Sequence, residues 1–248
     1  MNWTKKQINQ HKQAAIALNK IIYEVAEYIK NNSETTDVAV RQFIKQQYKK
    51  YNLKSDKQSS IVAFGHDTAN VHFYAETPRK LKQGDLIMVD IWGRLAEKGA
   101  PFADITWMMY YGGKIPYAYA RAFKIVASAR NRAVKFLEKN LKNKIVPAGS
   151  QIDAAARNYL ERWGLVKYFL HTTGHSLGLT NPHGNRTRIS RKGRQPLPLN
   201  VGYTIEPGVY FKNKFGIRSE MDFYLDKNYK LNLTTICQKQ IIKIWKKN

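Results

Sequence analysis

One cysteine, Cys237, is the only thiol in 248 residues. A single thiol excludes an intrachain disulfide framework and any cysteine-based zinc finger or iron–sulfur site. Long hydrophobic runs are also missing. No segment approaches the roughly 18 uninterrupted apolar residues that a membrane-crossing helix needs. The opening MNWTKKQINQHKQ is polar and basic and lacks the apolar centre of a secretory signal. A soluble, cytoplasmic protein without a membrane span is therefore the expectation. Acids are scarce: 18 Asp and Glu stand against 42 Lys and Arg, a formal net charge of +24. What is present suffices for a core, since 43% of residues are hydrophobic and 12% aromatic, which excludes wholesale disorder.

The positive charge points toward anionic partners. Against this, the basic residues are scattered, and clusters such as Lys49-Lys50, Arg186 to Arg194 and Lys246-Lys247 are short. No helix-turn-helix, zinc-finger or RNA-recognition signature accompanies them. The expectation is no specific nucleic-acid partner, the charge acting as a solubility and steering term.

Hydrophobic periodicity organises the chain. Ile8, Ala15, Leu18, Ile22, Val25 and Ile29 recur at helical spacing over 4–31. A second helix follows over 37–51, with polar residues 33–36 available to cap it. Short apolar strands are expected at 60–64, 86–92 (LIMVDIW) and 103–111, the second covered on both faces. Helical patterns return at 116–140 and 150–163, then β-like runs at 168–179, 203–211 and 217–225. Residues 181–200, rich in Asn, Arg, Pro and Gly, form the longest loop. The order of helices, strands, helices, strands is a duplicated α+β arrangement, read as one domain over 1–248.

Four of the few carboxylates occupy unfavourable places. Asp90 interrupts an apolar strand, Asp104 sits in FADITW, Glu206 in YTIEPGVYF and Glu220 in GIRSEMDFYL. A buried carboxylate needs a cation or hydrogen-bond donors. One alone reads as a structural ion pair; four in separate strands of an acid-poor chain ask for more. HTTGHSLGL adds His171 and His175, four residues apart. Two histidines alone are weak evidence, but beside four carboxylates they are metal-ligand candidates. Such a donor set suits Mn²⁺, Co²⁺, Fe²⁺ or Zn²⁺, and four carboxylates can serve two ions.

MVDIW, ADITW, HTTGHSLGL, TIEPGVYF and GIRSE, in that order, resemble the successive motifs of the pita-bread metallopeptidases, which include methionine aminopeptidase, aminopeptidase P and prolidase. The resemblance covers residues 60 to 225. It implies the pita-bread fold, two pseudo-symmetric halves of helices packed on a curved antiparallel β-sheet. It also implies two divalent ions, manganese first among the candidates, held by Asp90, Asp104, His175, Glu206 and Glu220. Asp104 and Glu220 would bridge, Asp90 would serve one ion, and His175 and Glu206 the other.

HDTANVHFY and IRSE resemble the proline-directed branch of that family. The implied activity is an Xaa-Pro aminopeptidase or dipeptidase, in which metal-activated hydroxide attacks the scissile carbonyl and Glu206 accepts the proton. By the same resemblance His72 and His183 face the substrate, and Arg218 could hold bridging or bound carboxylates. His171 is a further candidate catalytic group. The implied partner is a peptide with proline after its first residue, and a homodimer is possible within the family's pattern. A methionine aminopeptidase-like or creatinase-like hydrolase is the alternative, and a non-catalytic nucleic-acid- or protein-binding module a more distant one. The segment between Asp90 and Asp104 is a few residues longer than in the best-known members, and that between His175 and His183 one residue longer. Aminopeptidase P and prolidase carry a domain ahead of the catalytic one, for which there are too few residues before His72; a free-standing catalytic domain is the expectation. Asp222 reads as a supporting group, Cys237 as an inert buried thiol, and His11 and His66 as ordinary polar histidines.

Overall fold

The computed structural model of the protein describes residues 2–56, 60–74 and 77–245. The elements in chain order are α1 (Lys5–Asn31), α2 (Asp37–Lys50), β1 (Leu53–Lys54), β2 (Ser60–Phe64), β3 (Leu86–Leu95), β4 (Ala103–Tyr111), α3 (Tyr117–Leu141), α4 (Gly149–Arg162), β5 (Gly202–Ile205), β6 (Gly208–Phe211), β7 (Phe215–Arg218), β8 (Met221–Leu225), β9 (Leu231–Leu233) and β10 (Ile242–Ile244).

Local chemistry starts the two N-terminal helices. Thr4 Oγ1 accepts from Gln7 N at 3.2 Å, and Gln7 Oε1 accepts from Thr4 N at 2.9 Å, a reciprocal cap. Thr36 Oγ1 accepts from Ala39 N at 3.1 Å and begins α2. The apolar stripe of α1, with Leu18, Ile21, Ile22, Val25 and Ile29 fully buried, packs against one face of β3 and β4, while α2 lies against α1, β1 and β2.

Strand alternation then decides where the chemistry lies. Ile87, Val89 and Ile91 of β3 and Ala103, Ile105, Trp107 and Met109 of β4 turn toward the α1–α2 core. The opposite face of β3 reads Leu86, Met88, Asp90, Trp92, and that of β4 reads Asp104, Thr106, Met108, Tyr110. The antiparallel register sets Asp90 against Thr106 and Trp92 against Asp104. One end of this face is therefore apolar and joins the second core, while the other end is polar.

The second core comes from α3, α4 and strands β5–β8. Here β5 pairs with β8 and β8 with β9, whereas β6 pairs with β7, all antiparallel. Asp104 N donates to Asp222 Oδ2 at 2.8 Å and ties the two halves together. The chain finally returns as β10 to lie parallel beside β4, so the first sheet is mixed rather than wholly antiparallel.

Three expectations need correction. Residues 168–179 form no regular strand; only isolated bridges, such as Gly174 to Ile189 and Ser176 to Tyr203, tie them to neighbours. A β-carbon at Gly174 would collide with the carbonyl oxygen of Thr204, so this path requires glycine there. The 203–211 run is two strands, because Pro207 has no N–H for a ladder, and Glu206 N instead donates to Thr173 O at 2.8 Å. Arg218 ends β7 and β8 starts at Met221, so the 217–225 run is two strands and Glu220 lies at their junction.

Candidate metal centre

Five segments bring the candidate ligands to one cleft of about 480 Å³. β3 supplies Asp90, β4 supplies Asp104, the 171–176 loop supplies His175, the β5–β6 junction supplies Glu206 and the β7–β8 junction supplies Glu220. Each is buried. Ligand atoms of Asp104, His175 and Glu220 all lie within 4.8 Å of one another. His175 Nε2 is 3.7 Å from Asp104 Oδ2 and 3.4 Å from Glu206 Oε1.

The imidazole is oriented for coordination. His175 Nδ1 lies 3.0 Å from the carbonyl oxygen of Ser176, which can only accept, so Nδ1 carries the hydrogen and Nε2 presents its lone pair to the carboxylates. Burial lowers its pKa to about 3, keeping it neutral. Backbone contacts hold the loop: His175 N donates to Thr204 Oγ1 at 3.1 Å, and that hydroxyl donates to Glu206 Oε1 at 3.2 Å.

Thr106 joins the other side. Its Oγ1 lies 3.0 Å from Asp90 Oδ1 and 2.7 Å from Glu220 Oε2, and accepts from Arg218 Nε at 2.8 Å. The Arg218 guanidinium also pairs with Asp90. Thus Arg218 engages a candidate ligand directly instead of waiting for a bound carboxylate. Burial works against the Arg218 charge, but Asp90, Tyr210, Glu220 and Glu206 together hold it well above its ordinary range.

The electrostatics fit a cationic guest. Burial, then repulsion from neighbouring carboxylates, pushes Asp104 and Glu220 well above the usual carboxylate range. Burial raises Glu206 to about 7, and raises Asp90 despite the opposing pull of Arg218. Four buried carboxylates and one arginine are an undercompensated set, which divalent cations would relieve. Together with a neutral imidazole, the donors suit borderline to hard divalent ions.

The remaining candidates have different positions. His183 and His72 are exposed and line the cleft, and the His183 ring sits 4.1 Å from that of His175. His171 also lines it, but Nδ1 is 2.8 Å from Thr172 O and so carries the hydrogen, leaving Nε2 to accept from Tyr210 Oη at 2.9 Å. Its lone pair is therefore engaged. Asp222 is fully buried behind the ligands and acts on the Asp104 backbone. His11 is far from an ordinary polar histidine: it is fully buried between Phe102 O at 2.8 Å and Thr234 Oγ1 at 2.7 Å. Cys237 is only partly buried.

Sequence reasoning missed Thr106, Thr204, Tyr210 and Arg188, of which Arg188 lines the cleft directly. For Thr106 a signal existed, since it lies two residues after Asp104 in a strand and must share its face. Thr204 lies two residues before Glu206, at the end of β5 from which the junction leaves.

Comparison with known proteins settles the lineage. The sequence model of Metallopeptidase family M24 matches residues 9–227. The chain belongs to this family. Its fold is accordingly the pita-bread fold expected from the motifs. Among curated relatives it is 26% identical over 225 residues to "Probable dipeptidase PepE" of Mycobacterium tuberculosis, covering 86% of this chain and 53% of that protein. It is 26% identical over 232 residues to the "Xaa-Pro dipeptidase" of Pyrococcus furiosus, covering 93% and 62%. The solved X-Pro aminopeptidase of Thermotoga maritima superposes with a TM-score of 0.84 at 27% identity, covering 98% of this chain and 64% of that one. The chain thus spans between about half and two thirds of the length of these relatives. Among the described residues, no helix is long and apolar enough to cross a membrane.

Proposed function

We propose that the protein hydrolyses the first peptide bond of peptides carrying proline in second position, as an Xaa-Pro aminopeptidase or dipeptidase using two divalent ions. The observation that carries this reading is the convergence of five ligand-type side chains, from five segments, in one buried cleft. Asp90, Asp104, His175, Glu206 and Glu220 are the residues that would hold the ions. The carboxylate-rich donor set favours Mn²⁺. Bound there, the ions would supply an acidified water and Lewis acidity at the scissile carbonyl.

The chain's own groups do the rest. Glu206 accepts the proton of the attacking water, held in place by Thr204. His183, its ring tilted against that of His175 and lining the same cleft, donates toward the carbonyl oxygen as negative charge develops. His72, across the same cleft, positions the substrate near the leaving nitrogen. That nitrogen is tertiary in an Xaa-Pro bond and must be protonated to leave, and the proton taken up by Glu206 is the one returned to it. Arg218 and Thr106 fix Asp90 and Glu220. The Xaa-Pro names of the relatives favour this reading over a methionine aminopeptidase-like or creatinase-like hydrolase.

The test is product analysis after incubating Mn²⁺-reconstituted protein with Ala-Pro-Ala, Ala-Pro and Met-Ala-Ser. Release of alanine from a proline peptide, with Met-Ala-Ser left intact, is expected. Cleavage confined to Met-Ala-Ser, or no cleavage, overturns the proposal.

A further inference from the structure

One largely buried ion pair lies outside the proposed mechanism. Asp153 and Arg157 stand one turn apart on α4, and Arg157 Nε donates to Asp153 Oδ2 at 2.7 Å. Such a pair could satisfy itself within the helix. Here the remaining oxygen and both outer nitrogens reach residues 169–173 instead. Asp153 Oδ1 accepts from Thr173 Oγ1 at 2.7 Å. Arg157 Nη2 donates to His171 O at 2.6 Å and Nη1 to Phe169 O at 3.4 Å. The guanidinium also lies over the Phe169 ring, 4.1 Å from its centroid.

These contacts continue a backbone ladder. Thr204 N donates to His175 O at 2.9 Å and Glu206 N to Thr173 O at 2.8 Å, an antiparallel register whose next donor would be Gly208 N on His171 O. Beyond Pro207 the chain turns away, and Gly208 pairs with Arg218 in the β6–β7 hairpin. Arg157 Nη2 takes that place on His171 O. An arginine of α4 thus completes the edge that β5 leaves unfinished.

Resting on the proposed two-ion reading, we infer that Asp153 and Arg157 are positioning residues that set His175 and Glu206 as one pair of metal donors. The donor atoms, His175 Nε2 and Glu206 Oε1, are 3.4 Å apart. Thr173 is the link to both. Its hydroxyl is held by Asp153, its carbonyl accepts from Glu206 N, and His175 follows two residues later. Asp90 and Asp104 have separate support, on the paired strands β3 and β4, with Thr106 and Arg218 fixing Asp90. Loosening the α4 clamp therefore weakens one ion and spares the other.

Stepwise Co²⁺ titration of chelator-stripped protein, followed by visible absorption, tests this. The parent should bind two ions. Asp153→Asn removes the counter-charge of Arg157; it should bind one ion as the parent does and the other about 10- to 100-fold more weakly, the usual effect of losing a group that orients a ligand. Thr173→Val cuts the clamp from the loop with the ion pair intact and should show the same selective loss, while Thr173→Ser should titrate like the parent. A clamp that only stabilised the fold would lower the urea midpoint and leave both steps unchanged, or weaken them alike. Either pattern in either folded variant overturns the inference, and Thr173→Val decides alone where Asp153→Asn does not fold. A parent that binds fewer than two Co²⁺ overturns the two-ion reading and the inference with it. Two bound ions and a selective loss, without cleavage of Ala-Pro-Ala, support the clamp and defeat the hydrolase reading alone.

Discussion

Thr106→Val removes one oxygen at nearly constant volume, and the structure says what that oxygen does. The hydroxyl accepts from buried Arg218 Nε at 2.8 Å and lies 2.7 Å from Glu220 Oε2 and 3.0 Å from Asp90 Oδ1. All four residues are buried, so water cannot replace it. Valine would leave Arg218 Nε without an acceptor and Glu220 without its hydroxyl partner. Orphaning a buried polar group costs about 1–3 kcal/mol, so losing both contacts should lower metal-free stability by about 2–4 kcal/mol. Groups that orient metal-binding carboxylates usually change affinity about 10- to 100-fold when removed, and the same weakening is expected for Co²⁺. Urea unfolding followed by tryptophan fluorescence reads the first effect, and the visible absorption of bound Co²⁺ reads the second. Thr106→Ser keeps the hydroxyl and should retain the affinity. If Thr106→Val changed stability by less than about 0.5 kcal/mol, the range of ordinary surface substitutions, and left the Co²⁺ titration unaltered, the hydroxyl would not be the hub of the centre.

Other expectations follow from three more buried titratable groups. Arg130 is almost fully buried, donates to Ser219 Oγ at 2.5 Å and to Gln238 O at 3.1 Å, and so braces the residue before Glu220. Arg130→Ala should cost about 3 kcal/mol by combining a cavity with orphaned partners, read by thermal or urea unfolding; a cost near zero contradicts this. Burial lowers the pKa of His11 from 6.5 to about 4. Its neutral form is favoured on folding, so the stability difference between the parent and His11→Gln is steady above pH 6.5 and falls as pH drops toward 4. The loss is about 3 kcal/mol, and a flat difference across that window refutes it. Glu206 has the opposite sign, raised from 4.5 to about 7 without metal. In chelator, the parent should lose stability relative to Glu206→Gln as pH rises from 4.5 through 7. Added Mn²⁺ should abolish that trend.

The helices were legible because their apolar spacing and caps are local: residues 4–31 and 37–51 were expected, and α1 and α2 cover 5–31 and 37–50. The buried strand LIMVDIW was equally clear, and its lone acid gave away the cleft. The 168–179 segment was not, because its apolar and aromatic residues mimic a strand while bridges to Ile189 and Tyr203, distant in sequence, set its path. β10 was missed for a related reason, since three residues of strand carry little signal until β4 accepts them. At the centre, the acids stood out because burying a carboxylate is expensive and this chain has few. Thr106 did not, since a threonine in a strand is unremarkable until its partner, Arg218, is located in space.

Metal content measured against turnover tests the central claim most directly. Protein stripped with chelator should be inactive on Ala-Pro-Ala, and activity should rise with added Mn²⁺ until two ions are bound per chain. Full activity in chelator, or no bound metal at saturating Mn²⁺, would contradict the assignment of Asp90, Asp104, His175, Glu206 and Glu220 as a dinuclear hydrolytic centre.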